Sequence, residues 1–181
     1  MNKVLTLALT ALNASLYTIV GYTTYLGFVV LGVRFWPAVI VPATFAVLFG
    51  PLVGGVGAGI GIFISDMLTH GMPLLSLSVG VTSNFIAFYL LGYLCKNYSL
   101  KRYLVSATLS LLVGSGIIGV GVWAWSQVFI LPGASEVAPM PLYGAFTIFA
   151  WTFLSEIPFL LLVVPPIVKG VRKALPSIGR L

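Results

Sequence analysis

From Phe35 to Cys95 the chain carries no lysine, no arginine and a single acid, Asp66. A run that long with so little charge cannot be kept soluble by its own surface, and similar apolar stretches lie on either side of it. A soluble domain holds roughly 25% charged residues. This one has 7%, nine cations and three acids in 181 residues, with a mean hydropathy of +1.13. The pattern predicts an all-α integral membrane protein that forms one domain over residues 1–181.

A bilayer core of roughly 30 Å takes about 20 helical residues at 1.5 Å each. Apolar runs between polar or turn-rich breaks give six spans, about 4–24, 36–50, 52–69, 79–95, 103–131 and 144–168. The second is short and joins the third through "FGPLVGG" with hardly any loop; the fifth is long enough to tilt. Lys3 precedes the first run, no small-x-small cleavage site follows, and further spans come at once. The run therefore reads as a retained first span rather than a signal peptide.

With six spans, alternate connections share a side. Lys3, Lys96, Lys101, Arg102, Lys169, Arg172, Lys173 and Arg180 fall on one side and Arg34 on the other. The positive-inside rule then places both termini in the cytoplasm, in a multi-pass cell-membrane protein. The net charge of +6 is thus a topology signal, with anionic lipid a secondary partner. It is not the clustered basic face that nucleic acid requires. The single Cys95 excludes a disulfide framework within the chain and a multi-cysteine metal site.

The stretch "LFGPLVGGVGAGIGIFISDML" (48–68) is dense in glycine. It lacks the Gly-Lys-Ser/Thr ending of a phosphate loop, and its glycines alternate by two, which the dinucleotide fingerprint does not. The pairs Gly50/Gly54, Gly55/Gly59 and Gly57/Gly61 instead have the spacing that lets helix backbones approach closely in lipid.

The outer connections, about 25–35, 70–78 and 132–143, are rich in Gly, Pro and aromatics. "YLGFVVLGVRF" is too apolar for a solvated loop and is expected to fold back over the bundle. Structured loops on one face of a rigid bundle are where a binding site belongs. Asp66 ends the third span beside that face, and Arg34 is the cation the first outer loop offers. The pair is either a clasp of loop to bundle or part of a ligand site.

Glu156 lies about twelve residues into the sixth span, roughly 18 Å deep, with Thr152 one turn earlier and Pro158 just after. An ionisable group at such depth faces a bundle interior or a cavity, as a ligand contact, a helix-partner contact or a satisfied structural acid. Asn84, with Ser83 and Thr82 beside it, is either a ligand group or helix glue. Trp123 and Gln127 are one turn apart in the fifth span, and Trp151 sits near Thr147 in the sixth. Such pairs could stack and orient a planar heterocycle or form an interfacial belt. His70 reads as a loop residue. No catalytic set, cofactor motif or metal-ligand spacing assembles from these residues, so no enzyme is expected.

The segment "LGVRFWPAVIVPATFAVLFGPLVGGVGAGIGIFISDML" resembles the second-to-third-span region of substrate-binding S-components of energy-coupling factor (ECF) vitamin transporters. There a Gly-Pro turn joins two spans and a Gly/Ala-rich helix ends in an acid. "SVGVTSNFIAFYLLGYL" is loosely similar to the fourth span. The resemblance implies a subunit that binds a vitamin or related heterocycle between the outer loops and the last three helices. It also implies docking onto a transmembrane scaffold protein and a pair of ATPases, and toppling in the membrane to deliver the ligand. Docking in that family uses small residues on the first span, commonly Ala-x-x-x-Ala; this chain offers Ala8, Ala11, Ala14 and Ser15 instead. The expected pocket then comprises Arg34, Asp66, Asn84, Trp123, Gln127, Trp151 and Glu156. Its acids outnumber Arg34, which favours a neutral or cationic heterocycle over a polyanion. The rival reading is a self-sufficient ion-coupled secondary transporter using Asp66 or Glu156.

Overall fold

The computed structural model describes residues 2–24 and 26–175; Arg180, counted above among the cytoplasmic cations, lies outside them. The helices are α1 (Lys3–Thr24), α2 (Pro37–Phe49), α3 (Pro51–Thr69), α4 (Pro73–Leu94), α5 (Leu100–Ser126) and α6 (Leu142–Ala174). All but α2 are long and apolar enough to cross a membrane, and α2 is apolar but shorter. Between α1 and α2 lies a small antiparallel hairpin, β1 (Val29–Val30) with β2 (Val33–Arg34), paired Val29 to Arg34 and Val30 to Val33. Among the described residues the strands are these two, and they lie in the expected fold-back loop.

Local sequence sets the helix starts. Pro37, Pro51 and Pro73 open α2, α3 and α4, where a missing N–H costs nothing and φ is already helical. Ser99 caps α5, its hydroxyl accepting from the Arg102 amide. Gly50 sits between α2 and α3 at φ +95°, a backbone state that a side chain resists, and this allows a one-residue reversal.

Helix α3 is central. Gly57 lies against Asn13 of α1 and Gly61 against Ala14 O and Tyr17, while Gly55 and Gly59 face Phe85 and Val81 of α4. The two glycine rows therefore let two helices close onto one. Polar groups then bridge the backbones: Asn13 Nδ2 donates to Val53 O at 2.8 Å, and Thr18 Oγ1 donates to Gly61 O at 3.0 Å. Such bonds hold helices together where lipid gives no hydrophobic drive between them.

Two helices contain widened turns. In α4 a π-helical turn spans Ser76–Val81. In α6 another spans Phe159–Val163, directly after Pro158. Pro158, Pro165 and Pro166 withdraw amide donors around this turn, and Leu160 O accepts from the buried Tyr103 hydroxyl of α5 at 2.7 Å. The observed ends differ from the expected spans in a readable way. α4 begins earlier, because Pro73 starts a helix that the π turn then continues. α5 stops at Ser126, although Val128–Leu131 is apolar, because Ser126 and Gln127 bond back to Trp123 O.

One buried cluster, including Tyr17, Trp36, Phe88, Leu91, Tyr103 and Leu111, fills most of the bundle. A second, of Leu75, Val79, Val122 and Ile148, sits near the hairpin end. The exterior is also apolar: Val4, Leu7, Ile19, Leu52, Leu109, Phe146, Leu154 and Leu162 point outward. Apolar surface this extensive belongs against lipid. The molecule is a multi-pass membrane protein.

Candidate functional site

A cavity of about 110 Å³, the space open to water centres, lies beneath the hairpin. Leu31, Gly32 and Val33 at the hairpin tip and Leu131–Pro132 after α5 cover it. Its walls are mostly apolar, from Ile62 of α3, Leu75 and Val79 of α4, and Ile118 and Val122 of α5. Trp36, Ser76, His70, Asp66, Asn84, Arg34 and Glu156 supply the polar and aromatic surface.

The rim is built around Asp66. The last turns of α3 carry this acid to the level of the hairpin, and the strand register brings Arg34 across to it. Asp66 Oδ1 accepts from Arg34 Nη2 at 2.6 Å, and Oδ2 accepts from Ser76 Oγ at 2.7 Å. His70 Nε2 stands 3.5 Å from Oδ1, while its Nδ1 accepts from the Met72 amide at 3.2 Å. The Arg34 guanidinium also lies over the Trp36 ring, 4.3 Å from its centroid. The ion pair is well shielded, its side chains 12% and 9% exposed. A buried pair of this kind is sustained by the extra hydrogen bonds around it.

Deeper in, a chain of hydrogen bonds crosses three elements. Trp36 Nε1 donates to the Tyr17 hydroxyl at 2.7 Å, which donates to Asn84 Oδ1 at 2.6 Å. Asn84 Nδ2 donates to Gly80 O at 2.9 Å, within the π turn of α4. Tyr17 also packs edge-on to Trp36 and to Phe88, so the network is fixed by aromatic contacts as well.

Glu156 projects to the same cavity from α6, one turn beyond Thr152. It is 7% exposed. Among the described residues its carboxylate takes part in no hydrogen bond or ion pair, unlike that of Asp66.

Of the residues expected at a pocket, Arg34, Asp66, Asn84 and Glu156 line this cavity together. The other three are placed elsewhere. Trp151 Nε1 donates to Val33 O at 3.1 Å and so anchors the hairpin to α6. Gln127 Nε2 donates to Met140 O at 2.9 Å, tying the end of α5 to the loop before α6. Trp123 is partly buried on α5 away from the cavity.

Sequence reasoning missed Tyr17, Trp36 and Ser76, and took His70 for a plain loop residue. Asn13 and Tyr17, four apart amid small residues of α1, were a usable sign of a polar face turned inward. Ser76 carried no such sign: in "LSLSVG" it looks like Ser78, yet Ser76 is buried on Asp66 while Ser78 bonds only its own helix backbone.

On α1, Ala8, Ala11 and Ser15 face outward, whereas Ala14 is buried against α3. The first three form a small-residue strip on the exterior of the bundle, bordered by Val4, Leu12 and Ile19.

The geometry is that of a cavity with mostly apolar walls. Apolar walls, a lid and a few placed polar groups can exclude water and orient one compact molecule. No curated protein and no solved structure matches the chain significantly. Residues 5–168 match the family model for the ECF transporter substrate-specific component. Given that match over nearly its whole length, the chain belongs to this family, the membrane subunits that bind the substrate of an ECF transporter.

Proposed function

We propose that this subunit captures a small water-soluble vitamin or related heterocycle in the cavity beneath the hairpin, with Arg34, Asp66, Asn84 and Glu156 at the site. Uptake is energised by a separate transmembrane scaffold protein and ATPases. All six helices cross the membrane, α2 by a short path beside α3, and both termini are cytoplasmic within a single domain of 1–181. In this orientation the cavity opens outward, because Lys3, Lys96, Lys101, Arg102, Lys169, Arg172 and Lys173 all belong to the opposite helix ends.

The observation that carries the reading is the cavity beneath the hairpin, lined by loop residues on one side and by an ion pair that joins loop to bundle. Trp151 and Gln127 serve here as anchors for the covering segments. Trp123 stands behind the α5 wall. The outward strip of Ala8, Ala11 and Ser15 suits docking onto the scaffold, since small residues let a partner helix approach closely; Ala14 serves the internal contact with α3.

The test is direct. Purified protein in nanodiscs should be stabilised against heat by one member of a panel of water-soluble vitamins and precursors. In liposomes the chain alone should bind that compound without accumulating it, and ATP-driven uptake should appear once scaffold and ATPases are added. Accumulation by the chain alone under an ion gradient would overturn the proposal.

A further inference from the structure

The polar groups of the cavity differ in how far the protein already satisfies them. Asp66 has Arg34 and His70 at Oδ1 and Ser76 at Oδ2. Asn84 has its amide N–H groups directed to Gly80 O and to Ser83 Oγ, and its oxygen accepts from Tyr17. Trp36 Nε1 donates to Tyr17, which lies outside the lining and both accepts and donates. His70 has the Met72 amide on Nδ1, and its Nε2 stands 3.5 Å from Asp66 Oδ1. Glu156 stands apart: a residue more than nine-tenths buried, on the cavity wall, with no protein donor on either carboxylate oxygen among the described residues.

A carboxyl group so placed in an apolar setting is costly to keep unless something donates to it. A carboxylate also offers two oxygens in one plane, the acceptor geometry that a planar, cationic N–C–N group meets with two parallel N–H bonds. The remaining walls are apolar side chains and the Trp36 ring, which suit a flat body. The space, at ~10–15 Å³ per water centre, holds on the order of nine such centres, enough for one ring with a small substituent.

We infer that the substrate is a small organic cation, a flat molecule whose amidine-like or amino-heterocyclic N–H donors are held by Glu156 at the inner end of the cavity. The inference rests on the reading of this cavity as the substrate site. Arg34 does not oppose this assignment, since its charge is matched by Asp66 at the rim. Specificity follows from the same arrangement. A carboxylate on the ligand would meet Glu156 with like charge, and a neutral isostere would lose the ionic part of the contact.

Three probes of one shape test this: benzamidine, benzamide and benzoate, titrated by calorimetry into the protein in nanodiscs. Benzamidine is expected to bind at least tenfold more tightly than the other two. Glu156→Gln, which keeps the shape and removes the charge, should weaken benzamidine at least tenfold and erase its advantage. The ranking in the unmodified protein decides the matter even where that variant folds poorly. Benzoate or benzamide binding first, an undiminished advantage in Glu156→Gln, or no heat from any of the three overturns the assignment. Benzoate in first place would leave a working binding cavity and a failed charge assignment. Benzamidine in first place with no ATP-driven uptake by the assembled transporter would leave the charge assignment and remove the transport reading.

Discussion

Both carboxylate oxygens of Asp66 are taken by protein partners, one by Arg34 and the other by Ser76, which makes the residue a clasp between hairpin, α3 and α4. Asp66→Asn would take the carboxylate away from the buried Arg34 guanidinium, and removing one member of a buried pair costs about 3–5 kcal/mol. Ser76→Ala removes a single bond, about 1 kcal/mol. Thermal unfolding in detergent should therefore place Asp66→Asn well below Ser76→Ala, and equal midpoints would show that the pair holds nothing. Tyr17→Phe is expected to fall between them at about 1–3 kcal/mol, because it strands the Trp36 N–H. The Arg34–Asp66 pair was legible in the sequence, since a chain with three acids and few cations on that side offers few combinations. Gln127 was not readable as an anchor for a local reason: helical spacing put it on the face of Trp123, but α5 ends at Ser126 and Gln127 turns to the Met140 carbonyl.

At the scale of elements, α3 shows how much of the bundle rests on missing side chains. A Cβ at Gly57 would press into Asn13, whose amide bonds the α3 backbone. Gly57→Val should overpack the α1–α3 contact and cost about 1–3 kcal/mol. Around Gly116 of α5, by contrast, the space that a Cβ would enter is open to 4 Å, so Gly116→Ala should gain about 0.5–1 kcal/mol from helix propensity alone. Opposite shifts of the unfolding midpoint check the pair, and a shift of the same sign in both would refute the packing role. The hairpin tests a different contact. Trp151→Ala removes the N–H that holds Val33 O, so ligand dissociation should quicken severalfold in stopped-flow while the fold persists. Helices were readable because each runs for many apolar residues between clear breaks. The hairpin was readable only as a loop lying on the bundle. Its strands are two residues long, and its turn depends on Leu31 and Gly32 at φ 49° and 83°, too short a pattern for periodicity to register.

Across the whole molecule, charge and small residues are sorted by place. The helix ends opposite the cavity gather the Lys and Arg residues, with Arg172 stacked on Tyr98 there, 4.6 Å from the ring centroid. The cavity end holds Asp66 and its partners, while the outward strip of α1 carries Ala8, Ala11 and Ser15. The gathering of Lys and Arg at one set of helix ends was legible from the sequence. Which face of α1 looks outward was not, because Ala8, Ala11, Ala14 and Ser15 are alike in size and only packing against Gly61 separates Ala14 from the rest. This separation makes a prediction about coupling rather than binding. Ala11 is exposed and far from the cavity lining, so Ala11→Trp should leave the affinity for substrate unchanged within about twofold. If the scaffold docks on the outward strip as proposed, the same bulk should lower ATP-driven uptake at least tenfold when scaffold and ATPases are present, and should weaken co-purification with the scaffold to match. Ala14→Trp differs in kind: it presses on α3 and should lower the unfolding midpoint of the isolated subunit. Full uptake by Ala11→Trp would mean that the partner binds another face of the bundle, and the docking assignment would then have to move off α1.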